Sequence, residues 1–275
     1  MSFMFRGKEI FKPLNTGHID ERVSCIREYV ANIYFYSKDG YTIMIDAGYN
    51  YDRLAEKMRW IDIRPESINE IIVTHQDTDH VGAIEVDSQG LFKTAKIYVG
   101  RVENEYLEGR VRRKVYWGLY KLPQVHIEND KTLIEDGEIF YIHDIKIEAF
   151  LVPGHTWGHL VYLIDDAYLF TGDTIWFGAD GGYAFLNTLA EDRKLQSVSL
   201  KRLEEKLRKR NPSLKIITGH TGWTDDFDFA FRHVDEICNA LRRKPKVQDP
   251  KAPYDGFDES GDTEDKTRTI ILEKC

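Results

Sequence analysis

The sequence predicts a layered domain of the α/β (α+β) class, and three observations lead to this class. Short apolar runs rich in β-branched and aromatic residues recur along the chain, and each ends in turn residues. Longer segments with helical spacing of apolar residues lie between them. The chain has 275 residues, of which 42% are hydrophobic and 31% charged, the balance of a globular protein with a sizeable core. Strands interspersed with helices in this way pack as layers.

The apolar runs predict the strands. Their lengths suit strands rather than helices, and they end at turn-forming residues such as Lys38-Asp39-Gly40. The predicted strands are Val23–Arg27, Asn32–Tyr36, Tyr41–Ile45, Ile71–Val73, Lys96–Val99, Ile139–Ile142, Ile145–Leu151, Tyr168–Phe170 and Leu214–Ile217.

The segments between these runs predict the helices. Leu189–Arg210 is strongly amphipathic, and Asn211-Pro212 ends it. Its predicted inward face carries Leu195, Val198, Leu203 and Leu207. The other helical segments are Tyr51–Met58, Ala83–Val86, the mixed charged and aromatic Glu103–Tyr120, and Phe227–Leu241.

A change in composition divides the chain into two parts. Residues 1–243 form the predicted layered domain, and residues 244–275 form an acidic, proline-containing linker and tail. Thr267–Leu272 regains strand character, so we expect it to form an edge strand on its own domain or on a neighbouring subunit. The sequence therefore leaves a homodimer open.

Charge and cysteine content exclude several classes of function. A net charge of −8 repels phosphates, so nucleic-acid binding is not expected, and the local basic runs are interpreted as solvated helix faces. No apolar run is long enough to span a bilayer, and the first residues have no apolar signal segment. Three cysteines without a CxxC pair suit a reducing compartment. The expected location is the cytoplasm, with a small-molecule substrate and no membrane partner.

Ligand-type side chains follow four of the predicted strands. The stretch THQDTDH places His75, Asp77, Asp79 and His80 directly after Ile71–Val73. Three later strands end in His155, Asp173 and His220, each directly preceded by a glycine that permits a sharp turn. Strand-end loops are where rigid scaffolds place functional groups, and neutral histidines beside carboxylates suit a divalent cation. The sequence therefore predicts a metal site built from separate strand ends.

In order and spacing, these motifs resemble those of the metallo-β-lactamase fold superfamily of metal-dependent hydrolases. That family carries HxHxDH, then a distant histidine, a bridging aspartate and a last histidine; this chain has THQDTDH, PGHTWGH, FTGDT and TGHTG, and Asp46 in MIDAG matches an early aspartate turn. The resemblance spans roughly residues 20 to 235. It implies a four-layer αββα sandwich with the metal site at one edge, between the two sheets.

The resemblance also implies how the ligands divide. Two divalent ions are expected, with Asp173 bridging them opposite a bridging water or hydroxide. The first ion would be held by His75, Asp77 and His155, and the second by Asp79, His80 and His220. Asp46 and His159 would support these ligands from behind.

Asp77 departs from the family pattern, which has a histidine at this position. Its carboxylate makes the inner shell of the two-ion site neutral, whereas a histidine would leave one positive charge, so each metal becomes a weaker Lewis acid. Zinc is the metal that the family implies, but the extra oxygen ligand keeps iron and manganese open. The related flavodiiron proteins carry a glutamate here, which supports a di-iron redox or oxygen-binding protein as the alternative. Those proteins also have a flavodoxin domain, and none is predicted in this chain.

The leading prediction is a hydrolase of an ester, lactone, thioester or phosphodiester bond, in which Asp79 orients the attacking water or receives its proton. A non-catalytic binding protein is less compatible with a complete ligand set. The resemblance further disfavours a thioesterase of the glyoxalase II branch and a nuclease, because both need added domains, and a secreted β-lactamase, which needs a signal peptide.

The substrate pocket is predicted from two variable stretches. Residues 101–121 would supply Tyr106, Trp117 and Tyr120 as an apolar lid, and the loop after Asp173 would supply Trp176 and Tyr183. Arg110, Arg112, Arg113 and Lys114 would meet an anionic substrate. The competing interpretation of residues 101–121 is a plain amphipathic helix with packed aromatic side chains.

Overall fold

Two large β-sheets dominate the fold. The computed structural model describes residues 10–28, 30–49, 53–87, 89–210, 213–236, 244–246, 255–257, 259 and 273–275. The strands are β1 (Gly17–His18), β2 (Val23–Glu28), β3 (Ala31–Lys38), β4 (Tyr41–Ile45), β5 (Glu70–Val73), β6 (Lys96–Gly100), β7 (Lys114–Val115), β8 (Tyr120–Lys121), β9 (Lys131–Ile134), β10 (Ile139–Ile142), β11 (Ile145–Leu151), β12 (Leu160–Ile164), β13 (Tyr168–Phe170), β14 (Ile175–Gly178), β15 (Gly181–Ala184), β16 (Lys215–Ile217), β17 (Trp223–Thr224), β18 (Asp255–Gly256) and β19 (Glu273–Lys274). The helices are α1 (Leu54–Trp60), α2 (Thr78–Val86), α3 (Arg101–Leu107), α4 (Arg193–Arg208) and α5 (Phe227–Phe231), with short 3₁₀ turns at Pro65–Ser67 and Gly172–Thr174.

The first sheet changes from antiparallel to parallel pairing along its width. Its order is β18-β1-β2-β3-β4-β5-β6-β9. The pairs from β18 to β4 are antiparallel, whereas β4, β5, β6 and β9 run parallel. Parallel neighbours need crossover connections, and α1 and α2 lie in the connections that follow β4 and β5.

The second sheet has the order β10-β11-β12-β13-β16-β17. Its pairs are antiparallel except for β13 with β16, which the chain joins through α4. Two small sheets flank this framework, a β14–β15 hairpin and a three-stranded sheet in the order β19-β8-β7.

Side chains of the strands point alternately to the two faces of each sheet, and this arrangement produces four layers. In β3, Ile33 and Phe35 pack with Leu54 and Met58 of α1, whereas Tyr34 and Tyr36 face the second sheet. Side chains of a strand point alternately to opposite faces, so this pattern buries both faces of the sheet. The second sheet in turn packs on α4 and α5 through a third cluster that includes Leu203. The order helix–sheet–sheet–helix is the predicted αββα sandwich.

Helix α4 begins later than predicted. Asp192 caps it, since its side chain accepts hydrogen bonds from the backbone of Lys194 and Leu195, so the helix starts at Arg193 rather than Leu189. The buried face also differs from the predicted one. Val198 is 47% exposed, and the inward residues are Gln196, Ser199, Leu200, Leu203 and Leu207.

Two other helix predictions were too long. The helix predicted over Glu103–Tyr120 ends at Leu107, because Gly109 takes a positive φ and the chain then turns into the β7–β8 hairpin. The helix predicted over Phe227–Leu241 ends at Phe231, after which His233 pairs with Tyr183 of β15; residues 237–241 lie outside the described part of the chain. No helix among the described residues has the length and hydrophobicity to cross a bilayer.

The described residues of the 244–275 segment contact the rest of the chain. Pro245 forms a β-bridge with Gly178, β18 pairs with β1, and β19 pairs with β8. The predicted strand Thr267–Leu272 lies outside the described residues. Glu259 is buried and accepts hydrogen bonds from the backbone and side chain of Thr16. This part of the segment is therefore tied to the first sheet by polar contacts.

A buried ion pair reinforces that attachment. Lys57 of α1 lies 2.6 Å from Glu259, and both side chains are 1% exposed. Replacing Lys57 by Met leaves a buried carboxylate without its cation, so we expect the free energy of unfolding to fall by about 3–5 kcal/mol. Denaturant unfolding measures this change.

The exposed pair of Lys146 and Asp166 supplies the control, since Lys146→Met is expected to cost less than about 1 kcal/mol. A double variant, Lys57→Met with Glu259→Met, is expected to recover most of the lost stability. Equal losses for Lys57→Met and Lys146→Met would contradict a structural role of the buried pair.

Candidate metal centre

The predicted ligands come together at one edge of the sandwich. His75 and Asp77 follow β5 of the first sheet, whereas His155, Asp173 and His220 follow β11, β13 and β16 of the second. Several hydrogen bonds join the sheets beside this edge: for example, Leu160 donates its backbone N–H to the carbonyl of Thr74, and the Tyr34 hydroxyl donates to the carbonyl of Thr218. The strand ends therefore hold the side chains on a rigid base.

The THQDTDH ligands lie on the turn from β5 into α2 and on the first turn of that helix. Asp77 occupies the N-cap position but makes no side-chain capping bond, because its carboxylate is directed away from the helix. Asp79 and His80 lie within the first turn. The strand-to-helix turn thus presents four ligand side chains, two histidines and two aspartates, within six positions.

The ligand atoms form two triads, and His75, His80 and Asp173 make a third group that overlaps both. His75, Asp77 and His155 compose the first triad, and Asp79, His80 and His220 the second; within each, the ligand atoms lie within 4.8 Å of one another. His155 Nε2 is 3.1 Å from Asp77 Oδ2, and His220 Nε2 is 3.5 Å from Asp79 Oδ2. Tetrahedral zinc with bonds of about 2.1 Å separates its ligand atoms by about 3.4 Å. Both triads have the size that such an ion needs.

Asp173 lies between the triads. Its Oδ1 is 3.2 Å from His80 Nε2 and 3.1 Å from His220 Nε2, and its Oδ2 is 3.7 Å from His155 Nε2. His75 Nε2 is buried and, among the described residues, has no hydrogen-bond partner; its nearest carboxylate oxygens lie 3.7 and 3.9 Å away. A buried polar atom is seldom left unpaired, so this nitrogen fits a metal ligand. The donor set of imidazoles and carboxylates also suits a divalent cation.

The electrostatics of the site favour positive charge. Burial would raise the pKa of Asp173, but His220 and His80 outweigh it and hold this pKa well below its ordinary value. Burial would lower the pKa of His80, but Asp173 and Asp46 outweigh it and raise that pKa well above its ordinary value. Buried carboxylates that draw a proton onto a neighbouring imidazole will equally attract a metal ion.

Hydrogen bonds behind the second triad orient its histidines. Asp46 Oδ2 lies 2.8 Å from His80 Nδ1, and Asp46 also accepts hydrogen bonds from the N–H and hydroxyl of Thr74. His220 Nδ1 lies 2.6 Å from the carbonyl of Val30. Each contact directs Nε2 of the ring toward the site, as the partners of metal-bound histidines do.

Replacing Asp46 by Asn weakens the orientation of His80 and removes a negative charge from its far side. We expect the affinity for the metal to fall about 10–100-fold, the range for lost partners of ligating histidines. Competition with a chromophoric chelator measures that affinity. Asp225→Asn, at an exposed position, is the matched control, and an unchanged affinity in Asp46→Asn would contradict the orienting role.

His159 supports Asp173 rather than joining a triad. Its Nε2 accepts a hydrogen bond from the backbone N–H of Asp173 at 3.1 Å, and its ring stacks on His75 with centroids 4.7 Å apart. Burial holds the pKa of His159 well below its ordinary value, and His75 and His155 add to the shift. The ring is therefore a neutral acceptor that fixes the Asp173 backbone.

Gly219 allows the second triad to close. A Cβ at this position would lie 2.7 Å from Asp173 Oδ1 and 2.9 Å from His80 Cε1. The glycine that precedes His220 is therefore required by the close approach of the ligands, whereas its backbone conformation is open to other residues.

Arg113 lies inside the centre, where the sequence placed a possible contact for an anionic substrate. Its guanidinium donates from Nε to Asp77 Oδ1 at 2.9 Å and from Nη2 to Asp77 Oδ2 at 3.1 Å, and the side chain is 1% exposed. Burial would raise the pKa of Asp77, but Arg113 and the histidines of the first triad outweigh it and hold this pKa well below its ordinary value. The neutral inner shell expected from the sequence omitted this cation, so the surroundings of Asp77 carry one more positive charge than predicted.

Glu103 is a second residue whose role the sequence analysis missed. It accepts hydrogen bonds from the backbone N–H of Gln76 and from the hydroxyl of Thr156, so it joins the two loops that carry the first triad. Burial raises the pKa of Glu103 to about 8. A Cβ at Gly158 would lie 2.1 Å from the Glu103 backbone nitrogen, which shows how closely α3 approaches the His155 loop.

The predicted pocket residues fall into two groups. Trp117 and Tyr120, on the β7–β8 hairpin, are 63% and 36% exposed, and Trp117 lines a shallow cleft with residues 190–194. Trp176 and Tyr183 are instead fully buried, and the Trp176 indole donates a hydrogen bond to the carbonyl of Ile10. Tyr106 is also buried, and its hydroxyl bonds with Glu191. These three buried rings support the walls of the centre without facing solvent.

Comparison with known proteins agrees with this geometry. The family model of the metallo-β-lactamase superfamily matches residues 26–220. A probable polyketide biosynthesis zinc-dependent hydrolase from Bacillus velezensis is 26% identical over 179 residues, which cover 65% of this chain and 67% of that protein. A hydroxyacylglutathione hydrolase from Buchnera aphidicola is 28% identical over 141 residues, covering 50% of this chain and 44% of that protein, so this chain spans less than half of its length.

A solved structure shows the same fold. A B3 metallo-β-lactamase described as having an active-site glutamic acid superposes with a TM-score of 0.59 and 16% identity, covering 84% of this chain and 90% of that chain. This is a likeness of fold. The family match includes Asp46 and both triads, and the chain belongs to the metallo-β-lactamase superfamily.

Proposed function

We propose that this chain is a metal-dependent hydrolase of ester or thioester bonds. The observation that carries the proposal is the pair of ligand triads that meet at Asp173, with His75 Nε2 buried and without a hydrogen-bond partner among the described residues. The triads would hold the metal, and zinc, iron and manganese all match the donor set. Lactones and phosphodiesters belong to the same chemical range and are included in the test.

Metal ions bound there would polarise the scissile group and lower the pKa of a bound water. Asp79 is suited to orient that water or accept its proton, because its side chain is 19% exposed, more than any other member of the triads. Asp173 is buried and held ionised by two histidines, which suits it to binding charge rather than to proton exchange. The two carboxylates therefore have different proposed roles.

The surface beside the first triad suits an acyl group with an anionic portion. Trp157 is 44% exposed and follows His155 by two positions, and Trp117 is 63% exposed beside the cleft. Arg193 and Lys194 line the same cleft and would meet a negative charge, since the carboxylates of Glu191 and Asp192 beside them already accept hydrogen bonds from Tyr106 and from the start of α4. The relative from Buchnera aphidicola is by its name a hydroxyacylglutathione hydrolase, which supports a thioester substrate although the sequence alone disfavoured that branch.

The test combines metal analysis with a substrate screen. The purified chain is assayed for zinc, manganese and iron, and then for hydrolysis of p-nitrophenyl esters, acyl thioesters, lactones and bis-p-nitrophenyl phosphate with each metal. We expect metal-dependent turnover of an ester or thioester that a chelator abolishes and added metal restores. His126→Ala, an exposed histidine outside the centre, is expected to leave this turnover unchanged.

Two results would overturn the proposal. Turnover that persists in metal-free, folded protein would show that the centre is not catalytic. Two irons with an oxo-bridge absorption band and no hydrolysis of any substrate would favour the di-iron redox alternative, to which the carboxylate at position 77 is suited.

A further inference from the structure

The Arg113 guanidinium occupies the space next to the metal-binding atoms of the first triad. Its Nη2 is 3.1 Å from Asp77 Oδ2 and 3.2 Å from His155 Nε2. These are the two atoms that a cation in the first triad would use, and they lie 3.1 Å from each other. The guanidinium therefore contacts the same pair of atoms, Asp77 Oδ2 and His155 Nε2, that a metal ion would need.

The guanidinium is held in this position from behind. Nη1 donates to the carbonyl of Lys114 at 2.8 Å, and Nη2 donates to the carbonyl of Leu189 at 2.5 Å. The hairpin that carries Arg113 is itself closed by a hydrogen bond from the Leu122 N–H to the Arg113 carbonyl. A buried, bidentate arginine with further backbone acceptors has little freedom to swing away.

The lone pairs of the first triad are limited. A neutral imidazole offers one acceptor nitrogen, so His155 Nε2 can face either Arg113 or a metal ion. Both oxygens of Asp77 already accept from the guanidinium fork, so a metal ion would have to bind their remaining lone pairs directly beside that cation. A divalent ion bound here would also stand close to a guanidinium that burial leaves poorly screened.

The second triad has no such competitor among the described residues. The side chains of His80 and His220 make polar contacts with Asp46, Asp79 and Asp173 and with the Val30 carbonyl. Their rings also pack against each other, against His75 and against neighbouring aromatic rings. Within the described part of the chain, the charged side chains that contact the histidines of this triad are the carboxylates of Asp46, Asp79 and Asp173. The two triads are thus similar in ligand geometry but opposite in the charge that surrounds them.

We propose that Arg113 competes with a cation for the first triad, so that the chain holds one divalent ion firmly at Asp79, His80 and His220 and a second ion only weakly. This inference rests on the proposed metal-dependent function, since it concerns the occupancy of the same centre. Asp77 serves in this view as the counter-ion of an internal cation, and it becomes a metal ligand only when Arg113 is displaced.

Metal titration of the chelator-treated apoprotein tests the proposal without an activity assay. Zinc is added against a chromophoric competitor, and bound zinc is counted by elemental analysis after gel filtration. We expect the wild-type chain to retain one equivalent and to bind the second at least about tenfold more weakly, the scale on which neighbours of a ligand alter metal affinity. In Arg113→Met, the affinity for the second ion is expected to rise by a similar factor while the first is unchanged.

Two further variants keep the test decisive. Arg113→Met leaves Asp77 without its partner and could unfold the apoprotein, so the double variant Asp77→His with Arg113→Met restores a neutral ligand that needs no cation. It is expected to retain two equivalents of zinc. Arg101→Met removes an exposed arginine that pairs with Glu135 and is expected to behave as the wild type. Thermal unfolding of each apoprotein shows which variants are folded.

The opposite outcomes are distinguishable. Two equally tight ions in the wild type, or loss of the second ion in folded Arg113→Met, would show that Arg113 supports the first site, and would overturn the inference while leaving the proposed function standing. Failure of the wild-type chain to bind any divalent ion would overturn both.

Discussion

The Asp173→Asn variant is expected to lose metal and hydrolytic activity together. Asp173 contacts His80, His220 and His155, so its carboxylate faces both triads. An amide at this position removes the negative charge that faces both sites and places N–H donors against histidine nitrogens. We expect kcat/KM to fall by about 10³-fold or more, as when a central electrostatic group is removed. Elemental analysis and steady-state kinetics on the same sample measure both losses.

The fold is expected to survive this change. The backbone N–H of Asp173 keeps its bond to His159, and Asn is close to Asp in size. Asp144→Asn is the control, because that side chain is 60% exposed. Full metal content with unchanged turnover in Asp173→Asn would remove the residue from the proposed mechanism.

The Gly154→Ala variant is expected to be strongly destabilising. Gly154 has a φ of +137°, and a Cβ there would lie 2.3 Å from the backbone nitrogen of Gln196 and 2.4 Å from its Cα. Backbone atoms at the start of α4 cannot yield as a flexible side chain would. We expect the free energy of unfolding of the apoprotein to fall by about 3–5 kcal/mol, the range that combines overpacking with backbone strain. Denaturant unfolding monitored by circular dichroism measures it.

Gly137→Ala is the matched control for backbone conformation. Gly137 has a φ of +75°, but no described atom lies within 4 Å of a Cβ built there. Its substitution is expected to cost only about 1 kcal/mol. A comparable loss in both variants would mean that backbone conformation dominates and that contact with α4 is unimportant.

Many of the strands could be predicted from the local sequence pattern alone. Tyr41–Ile45, Ile139–Ile142, Ile145–Leu151 and Tyr168–Phe170 were predicted with the boundaries that the structure shows. Each is a short run of β-branched and aromatic residues closed by turn formers, so its length is set locally. The β7–β8 hairpin was not predictable in this way. It depends on Tyr116 and Trp117, which adopt positive φ, a conformation that aromatic residues seldom take.

The metal centre was likewise predictable from the sequence only in part. The residues of both triads and Asp173 were found from sequence because each stands at the end of a strand run in a recognisable order. Arg113 was seen only as one of several basic residues in the run RVRRK. Which of them turns inward is decided by the hairpin and by the charge of Asp77, more than thirty positions away. Glu103 was hidden for a similar reason, since the two groups that donate hydrogen bonds to its carboxylate lie on two separate loops.

The pairing of β18 with β1 has a consequence for how the chain is made. Thr16 and Glu259, which bond beside this pairing, are 243 positions apart. A ribosome adding about 5–20 residues per second needs on the order of 10–50 s to synthesise that interval. Throughout this time β1 presents an uncovered edge, and uncovered edges invite pairing with other chains. The edge of β1 therefore stays uncovered until β18 and Glu259 have left the ribosome, and the short length of β1, two residues, limits what can pair with it in the meantime.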